Sequence, residues 1–323
     1  LNWTLSFDNL REVDTTKHVH RLHPYKGKYI NQLVEYFIDN HTDDFKKEAY
    51  FKSGYIILYP FLGSGTTIIQ SLEMGIHSVG IDVSEFNCMI SSCKATHYDD
   101  EYLQKAVKKL ITSLDSFEHD NKIQDFENEL LGELAKFNLI HFPGSDFKYK
   151  INQGKFDEKK FSIEKERAFL PIYQKLVKKY SIKLKQDKSG SFLDIWFMDN
   201  VRREIDHVFQ TIKQEKDIKT RKILALILSR TIRSCRATTH SDLATLKEPQ
   251  FTTYYCYKHK KICKPLFSIT SMLNRYAIDT LSRIREFSRL RKPVHYSVLT
   301  GDSRVVNIFE KVEKQNPEFY KIL

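Results

Sequence analysis

The spacing of apolar positions changes along the chain, and those changes mark out its elements. Ile56, Ile57 and Leu58 form a short β-rich run that predicts a strand, and Gly63-Ser64-Gly65 breaks it. Residues 66–74 resume at helical spacing and stop at Gly75, which predicts a helix ended by a glycine. Residues 77–81 return to a strand pattern that places Asp82 at its carboxyl end. Helices are also predicted over residues 31–39, 85–97, 101–116 and 125–137. An irregular, exposed stretch is expected around residues 142–157, where Gly144, Gly154 and scattered lysines interrupt the pattern. Further helices follow over residues 162–185, 199–215, 218–235 and 268–289, and strand character returns only near residues 296–300. The pattern reads as an α/β chain: a Rossmann-like parallel sheet interrupted after its second strand by a large, mainly helical insertion. No internal repeat or low-complexity segment is visible.

Composition narrows the class. A chain of 323 residues, 41% hydrophobic, can bury a sizeable core and is not disordered. The longest aliphatic run, residues 223–228, is too short to cross a bilayer, and the first residues lack a charged start followed by an apolar signal core. A cytoplasmic location and no membrane partner are therefore expected. Five cysteines argue for reduced thiols rather than a disulfide framework. The first residue is leucine, which suggests a trimmed chain or an unusual start.

The net charge of +11 gains meaning once it is located. Residues 201–299 hold 21 lysines and arginines against 8 acidic residues, which leaves the remainder slightly acidic. A solvated basic surface is the plain reading, while a concentrated field beside hydroxyl-rich sequence suits nucleic acid. Arg230, Arg233 and Arg236 fall three apart on an apolar helix, so they share much of one face and suit a row of phosphates. Residues 237–255 are rich in Ser, Thr and His with little helical pattern, as in a loop reaching a groove. His240, Lys258 and Lys260 complete the candidate nucleic-acid contacts. Arg275, Arg283, Arg285, Arg289, Arg291 and Lys292 continue the charge on a second predicted helix.

The strand, glycine turn, helix and second strand over residues 55–84 make half of a Rossmann-like unit. Thr66 and Thr67 open the helix, whose unpaired first N–H groups favour a carboxylate. Glycines at 63 and 65 keep side chains away from a ligand approaching the backbone. Asp82 stands where an acid accepts hydrogen bonds from ribose hydroxyls.

The longer string is more specific than the turn. PFLGSGTT at residues 60–67 followed by GIDVS at 80–84 resembles the S-adenosylmethionine motif of the DNA amino-methyltransferases, which modify adenine N6 or cytosine N4. HRLHPYKGKYINQLVEYFI at residues 20–38 is similar to that family's upstream motif, and LTGDSR at 299–304 to the segment ending the strand beside the adenine. The resemblance implies S-adenosylmethionine as cofactor and double-stranded DNA as partner. It implies that Gly63, Ser64, Gly65 and Thr66 surround the methionine moiety, Asp82 the ribose, and Asp302 and Ser303 the adenine side, with His23, Pro24, Tyr25 and Lys28 completing the pocket and Pro60 and Phe61 among the cofactor-binding residues. It further implies a cofactor domain over residues 18–100 and 293–323, and a basic target-recognition insertion over 101–292.

Two departures from the family pattern bear on activity. The family carries its chemistry on a Ser- or Asp-Pro-Pro-aromatic loop, where carbonyl and polar groups accept the hydrogens of the target amine and an aromatic stacks on the flipped base. The eight prolines here are Pro24, Pro60, Pro143, Pro171, Pro249, Pro265, Pro293 and Pro317, and no two are adjacent. A truncated or split enzyme is expected, inactive by itself and completed by another chain, with a DNA-binding remnant or an RNA methyltransferase as alternatives. No catalytic residue is assigned. The second departure is Tyr59, where the family usually carries Asp; losing a carboxylate near the cofactor's positive groups costs about 1–3 kcal/mol if it is partly buried.

No metal is assigned. Cys256, His259 and Cys263 have the C-x2-H-x3-C spacing of three zinc ligands, with Cys235 or His240 as conceivable fourth; a part-buried cysteine pair beside Tyr254, Tyr255 and Tyr257 is the plainer reading. His18, His20 and His23 read as packing and hydrogen-bonding residues, and Cys88 and Cys93 as helix-packing positions.

Overall fold

The computed structural model describes residues 7, 9–11, 14–25, 27–52, 54–117, 121–154, 157–188, 190–243 and 245–323. The chain divides into two compact units, the first built from Leu1–Val107, Glu215–Ile227 and Tyr276–Leu323, the second from Lys108–Gln214 and Leu228–Arg275.

The first unit is organised by a parallel sheet of three strands in the order β1, β2, β5, with β1 at Ile56–Tyr59, β2 at His77–Asp82 and β5 at Tyr296–Thr300. Leu58 pairs with Val79, and Gly80 with Val298. Parallel neighbours need crossovers, and α2 (Thr66–Met74) supplies the first. Side chains on a strand alternate between faces, which sorts the layers. Val79 and Ile81 join Leu299, Val312 and Phe319 in one buried cluster, so α12 (Ile308–Gln315) and α13 (Pro317–Tyr320) cover that face. Gly80 points the other way: a Cβ there would stand 2.5 Å from Leu62 and 2.7 Å from Ile68, so α2 lies directly on the strand. α1 (Asn31–Ile38) packs on α2, and α3 (Glu85–Ala95) packs on α2 and β5.

The second unit is mainly helical. It holds α5 (Asn121–His141), α6 (Gly144–Asn152), α7 (Glu158–Lys179), α8 (Phe192–Trp196), α9 (Asp199–Lys213) and a short hairpin of β3 (Tyr254–Cys256) and β4 (Lys261–Cys263), with α5 packed on β4 and α7 on β3. Phe126, fully buried, meets Tyr173 and Phe267 edge-on with ring centroids 6.2 and 5.0 Å away. Buried Glu204 accepts from the Ile269 amide at 2.7 Å and from Asn200 at 2.9 Å. α4 (Asp100–Asp115), α10 (Ile218–Ser234) and α11 (Thr270–Leu290) contribute residues to both units.

The structure departs from the sequence-based expectations at several places, among them α7, which ends at Lys179 rather than 185, the unexpected α8, and the hairpin strands, where strand character is expected only near residues 296–300. The stretch around residues 142–157 is not irregular throughout: α6 forms there because Phe142 and Phe147 are buried against each other, ring centroids 5.1 Å apart. The expected loop over residues 237–255 ends in β3, and the turn after it contains no glycine; Lys260 adopts the left-handed conformation (φ 55) instead. Beyond β5, α12 and α13 are started by Asn307 and Asn316, whose side chains accept from the Glu310 and Phe319 amides. Among the described residues no helix is long and apolar enough to cross a membrane.

Candidate cofactor site

The carboxyl ends of β1, β2 and β5 converge on one shelf, the place where open parallel sheets bind ligands. After β1 the chain runs through half-buried Pro60 and exposed Phe61 to buried Leu62, whose amide donates to the Ile81 carbonyl at 2.8 Å. Gly63 (φ 53) and Gly65 (φ 80) then turn it in the left-handed region. At Gly65 the neighbour that forbids a side chain is protein: a Cβ would lie 2.9 Å from Ser91 Cβ and 3.2 Å from Ser91 Cα on α3. At Gly63 it would meet the Tyr25 ring at 3.3 Å, which brings the upstream motif onto the turn. Gly65 also precedes α2 without any side chain capping the helix's first N–H groups, and buried Ser64 Oγ has no hydrogen-bond partner among the described residues.

The turn is held from beneath by α3. Ser91 Oγ donates to the Gly63 carbonyl at 3.1 Å, and Lys94 Nζ to the Ser64 carbonyl at 2.8 Å. Lys94 is fully buried, and burial first, then the charge of Lys28, lowers its pKa to about 7. The unfolded chain therefore keeps a proton that the folded chain releases, and stability rises with pH from about 7 toward the ordinary lysine value near 10.5. Lys94→Met removes that slope: its stability relative to the parent, measured by urea denaturation, should be most favourable near about pH 6 and least near about pH 9.

Asp82 closes the turn from the second strand. Its Oδ2 accepts from the Gly63 amide at 2.7 Å, and its Oδ1 from the Ser84 amide at 2.8 Å and Asn87 Nδ2 at 3.2 Å. A carboxylate offers about four acceptor positions, so roughly one, on Oδ2, remains for a ligand hydroxyl. The Asp82 carbonyl accepts from the Gly301 amide at 2.9 Å, which joins LTGDSR to this strand end. Asp302 and Ser303 are half-buried, and Arg304, bonded to Asp302, holds that carboxyl below its usual range. Phe61 and Val83 are 75% and 74% exposed, and Phe86 is also exposed beside His23, ring centroids 5.3 Å apart. Large apolar side chains left bare around a carboxylate suit a ligand with an apolar face beside hydroxyls.

The structure brings Tyr25, Gly63, Ser64, Gly65, Thr66 and Asp82 together around the turn and ties Gly301, next to Asp302, to Asp82. Pro24 is exposed, and Lys28 donates to the His20 carbonyl at 3.1 Å. His20 bonds Gln70 at 3.1 Å and His18 meets Glu73 at 2.6 Å, so both serve the packing of the upstream motif on α2. Ser91, Lys94, Asn87 and Val83 were not marked by sequence reasoning; Val83, an apolar residue directly after the acid, carried the only local signal.

The six candidate nucleic-acid residues all lie in the second unit. They do not form a uniform row. Arg230 is only 8% exposed, and Arg236 donates to the carbonyls of Arg233 at 2.9 Å and Leu243 at 2.5 Å. Lys260 pairs with Glu158 at 2.7 Å, while Arg233 and Lys258 are exposed. His240 lies beside Cys256, with Nδ1 3.4 Å from Sγ.

Comparison with known proteins supplies the context for this shelf. No protein-family model and no solved structure matches the chain. Over its whole length it is 43% identical to a Type II methyltransferase, M.MjaII, of Methanocaldococcus jannaschii. The chain is thus similar over its whole length to a Type II methyltransferase. A second Type II methyltransferase, M.MvaI of Kocuria varians, is 33% identical over 113 residues, 35% of this chain and 23% of its own length. The chain spans 59% of the length of its M. jannaschii relative.

Proposed function

We propose that the first unit binds S-adenosylmethionine on the shelf formed by residues 60–66, Asp82, Val83 and 302–303, and that the second unit recognises DNA for methylation at an amino group, cytosine N4 or adenine N6. The observation that carries this reading is the closure of the glycine turn by Asp82 beside an uncapped helix start, an unpartnered buried Ser64 hydroxyl and bare Phe61 and Val83. Those groups suit the three parts of the ligand. The first N–H groups of α2 and Ser64 Oγ receive a carboxylate, Asp82 Oδ2 a ribose hydroxyl, and Phe61 and Val83 a planar base. Bound S-adenosylmethionine supplies an electrophilic methyl group on a sulfonium. The chain's own residues fix its orientation, and proximity to the target amine supplies much of the rate.

The acceptor loop that the amine requires is absent from the 323 residues, so we assign it to sequence outside them, in the same polypeptide or in a complementing chain. These residues alone then bind without turnover. Tyr59 favours a second reading, a DNA-binding remnant: its half-buried phenol stands where the family pattern has a carboxylate.

Calorimetric titration of the purified chain with S-adenosylmethionine separates the two. Binding with a Kd of about 1–100 μM supports the cofactor reading, and absence of binding leaves the remnant. Competition between duplex DNA and duplex RNA at fixed salt tests the partner, and a preference for RNA would replace the DNA assignment.

A further inference from the structure

We propose that His240, Cys256, His259 and Cys263 form a structural zinc site in the second unit. The four residues come from four places. Cys256 ends β3, Cys263 ends β4, His259 sits in the turn between them, and His240 arrives from 16 residues before Cys256. One ligand atom from each lies within 4.8 Å of every other. A tetrahedral ion with bonds of about 2.3 Å to sulfur and about 2.05 Å to nitrogen places sulfur and nitrogen about 3.6 Å apart. Two of the four sulfur–nitrogen distances are 3.4 Å, Cys256 Sγ to His240 Nδ1, and 3.5 Å, Cys263 Sγ to His259 Nδ1, and the other pairs lie within 4.8 Å. Two edges of the required tetrahedron are therefore already close to their proper length.

The hairpin is shaped for this. The left-handed Lys260 lets its amide return to the Cys256 carbonyl at 2.7 Å, which folds His259 back over the strand ends. The rings of His240 and His259 meet edge-on with centroids 4.5 Å apart, as two imidazoles converging on one point do. On binding, both thiols release their protons to solvent and both imidazoles remain neutral, so two thiolates balance the dication and no redox step is involved. All four positions are filled by protein, leaving none for a substrate water, which makes the site structural. Tyr254 Oη lies 2.9 Å from His240 Nδ1 and competes with the ion for that lone pair. The ion replaces this contact and closes the loop from His240 to Cys256, where the described backbone before β3 has neither helix nor strand.

Elemental analysis of the full chain, produced with zinc supplied and purified without chelator, should find one zinc per chain. Replacing the ion with cobalt should give intense visible bands and thiolate charge-transfer absorption typical of a four-coordinate S2N2 site. Cys263→Ser should weaken retention by about tenfold or more, while Tyr254→Phe should hold the ion at least as well as the parent. The cobalt spectrum is read on the unsubstituted chain, so it decides even if a cysteine variant fails to fold. Zinc well below one per chain together with a pale six-coordinate cobalt spectrum would overturn the assignment, as would full zinc retention by a Cys256→Ser, Cys263→Ser double variant.

Discussion

Gly65→Ala should destabilise the first unit by about 2–5 kcal/mol, measured by urea denaturation, and should abolish cofactor binding with it. Two effects add. Alanine at φ 80 costs about 1–2 kcal/mol for its left-handed backbone. Its methyl would then stand 2.9 Å from Ser91 Cβ and 3.2 Å from Ser91 Cα, and the latter atom belongs to the α3 backbone, which no rotamer change can move aside. Overpacking of this kind costs about 1–3 kcal/mol more. The comparison variant is Gly63→Ala, whose methyl meets the Tyr25 ring at 3.3 Å, a side chain that can yield by a few tenths of an ångström. Ser91→Gly in the Gly65→Ala background should recover part of the loss, because it removes the clash with the serine side chain and leaves the clash with the helix backbone. Equal stability of Gly65→Ala and the parent would show that the turn relaxes and that α3 does not dictate the glycine.

Asp82→Ala should act on folding and on ligand together. It removes the acceptor of the Gly63 and Ser84 amides and of Asn87, leaving donors at a part-buried strand end, a loss of about 2–4 kcal/mol. Cofactor affinity should fall about 10–100-fold, the worth of one hydrogen bond to a charged acceptor. Asp82→Asn separates the effects poorly, since its amide nitrogen must face one of the donors that the carboxylate now serves. The informative measurement is therefore calorimetry on Asp82→Ala at a temperature where denaturation shows it still folded. Unchanged affinity there would remove Asp82 from the ligand site and leave it a purely structural clasp.

The strand, turn, helix and acid of residues 56–82 were legible because each signal is local: a β-rich run, glycines where the backbone turns left-handed, and an acid at the next strand end. What holds them was not legible. Ser91 and Lys94 reach the turn from 28 and 30 residues away, and a lysine inside a helix ordinarily faces water. The Arg230, Arg233, Arg236 row failed for a geometric reason. Arg236 lies beyond the end of α10 at Ser234, and the step of three from Arg230 to Arg233 falls about 60° short of a full turn, which lets Arg230 enter the core while Arg233 stays exposed. His240 was one of two conceivable partners for the Cys-x2-His-x3-Cys spacing, and only the hairpin's fold selects it over Cys235. Helix α6 and the two closing helices were missed because their apolar contacts are tertiary and carry too few residues for a period.

The order of the sheet has a consequence for assembly. β1 pairs with β2 along one side, and among the described residues nothing pairs with its other side. That side is a template of open N–H and C=O groups, and Leu58, exposed on the strand, gives an added segment apolar surface to cover. A strand laid there in parallel would run about 4.8 Å from the one that opens the glycine turn and would end beside it. The outer border of β1 thus leaves an open hydrogen-bonding edge directly beside the turn that shapes the shelf.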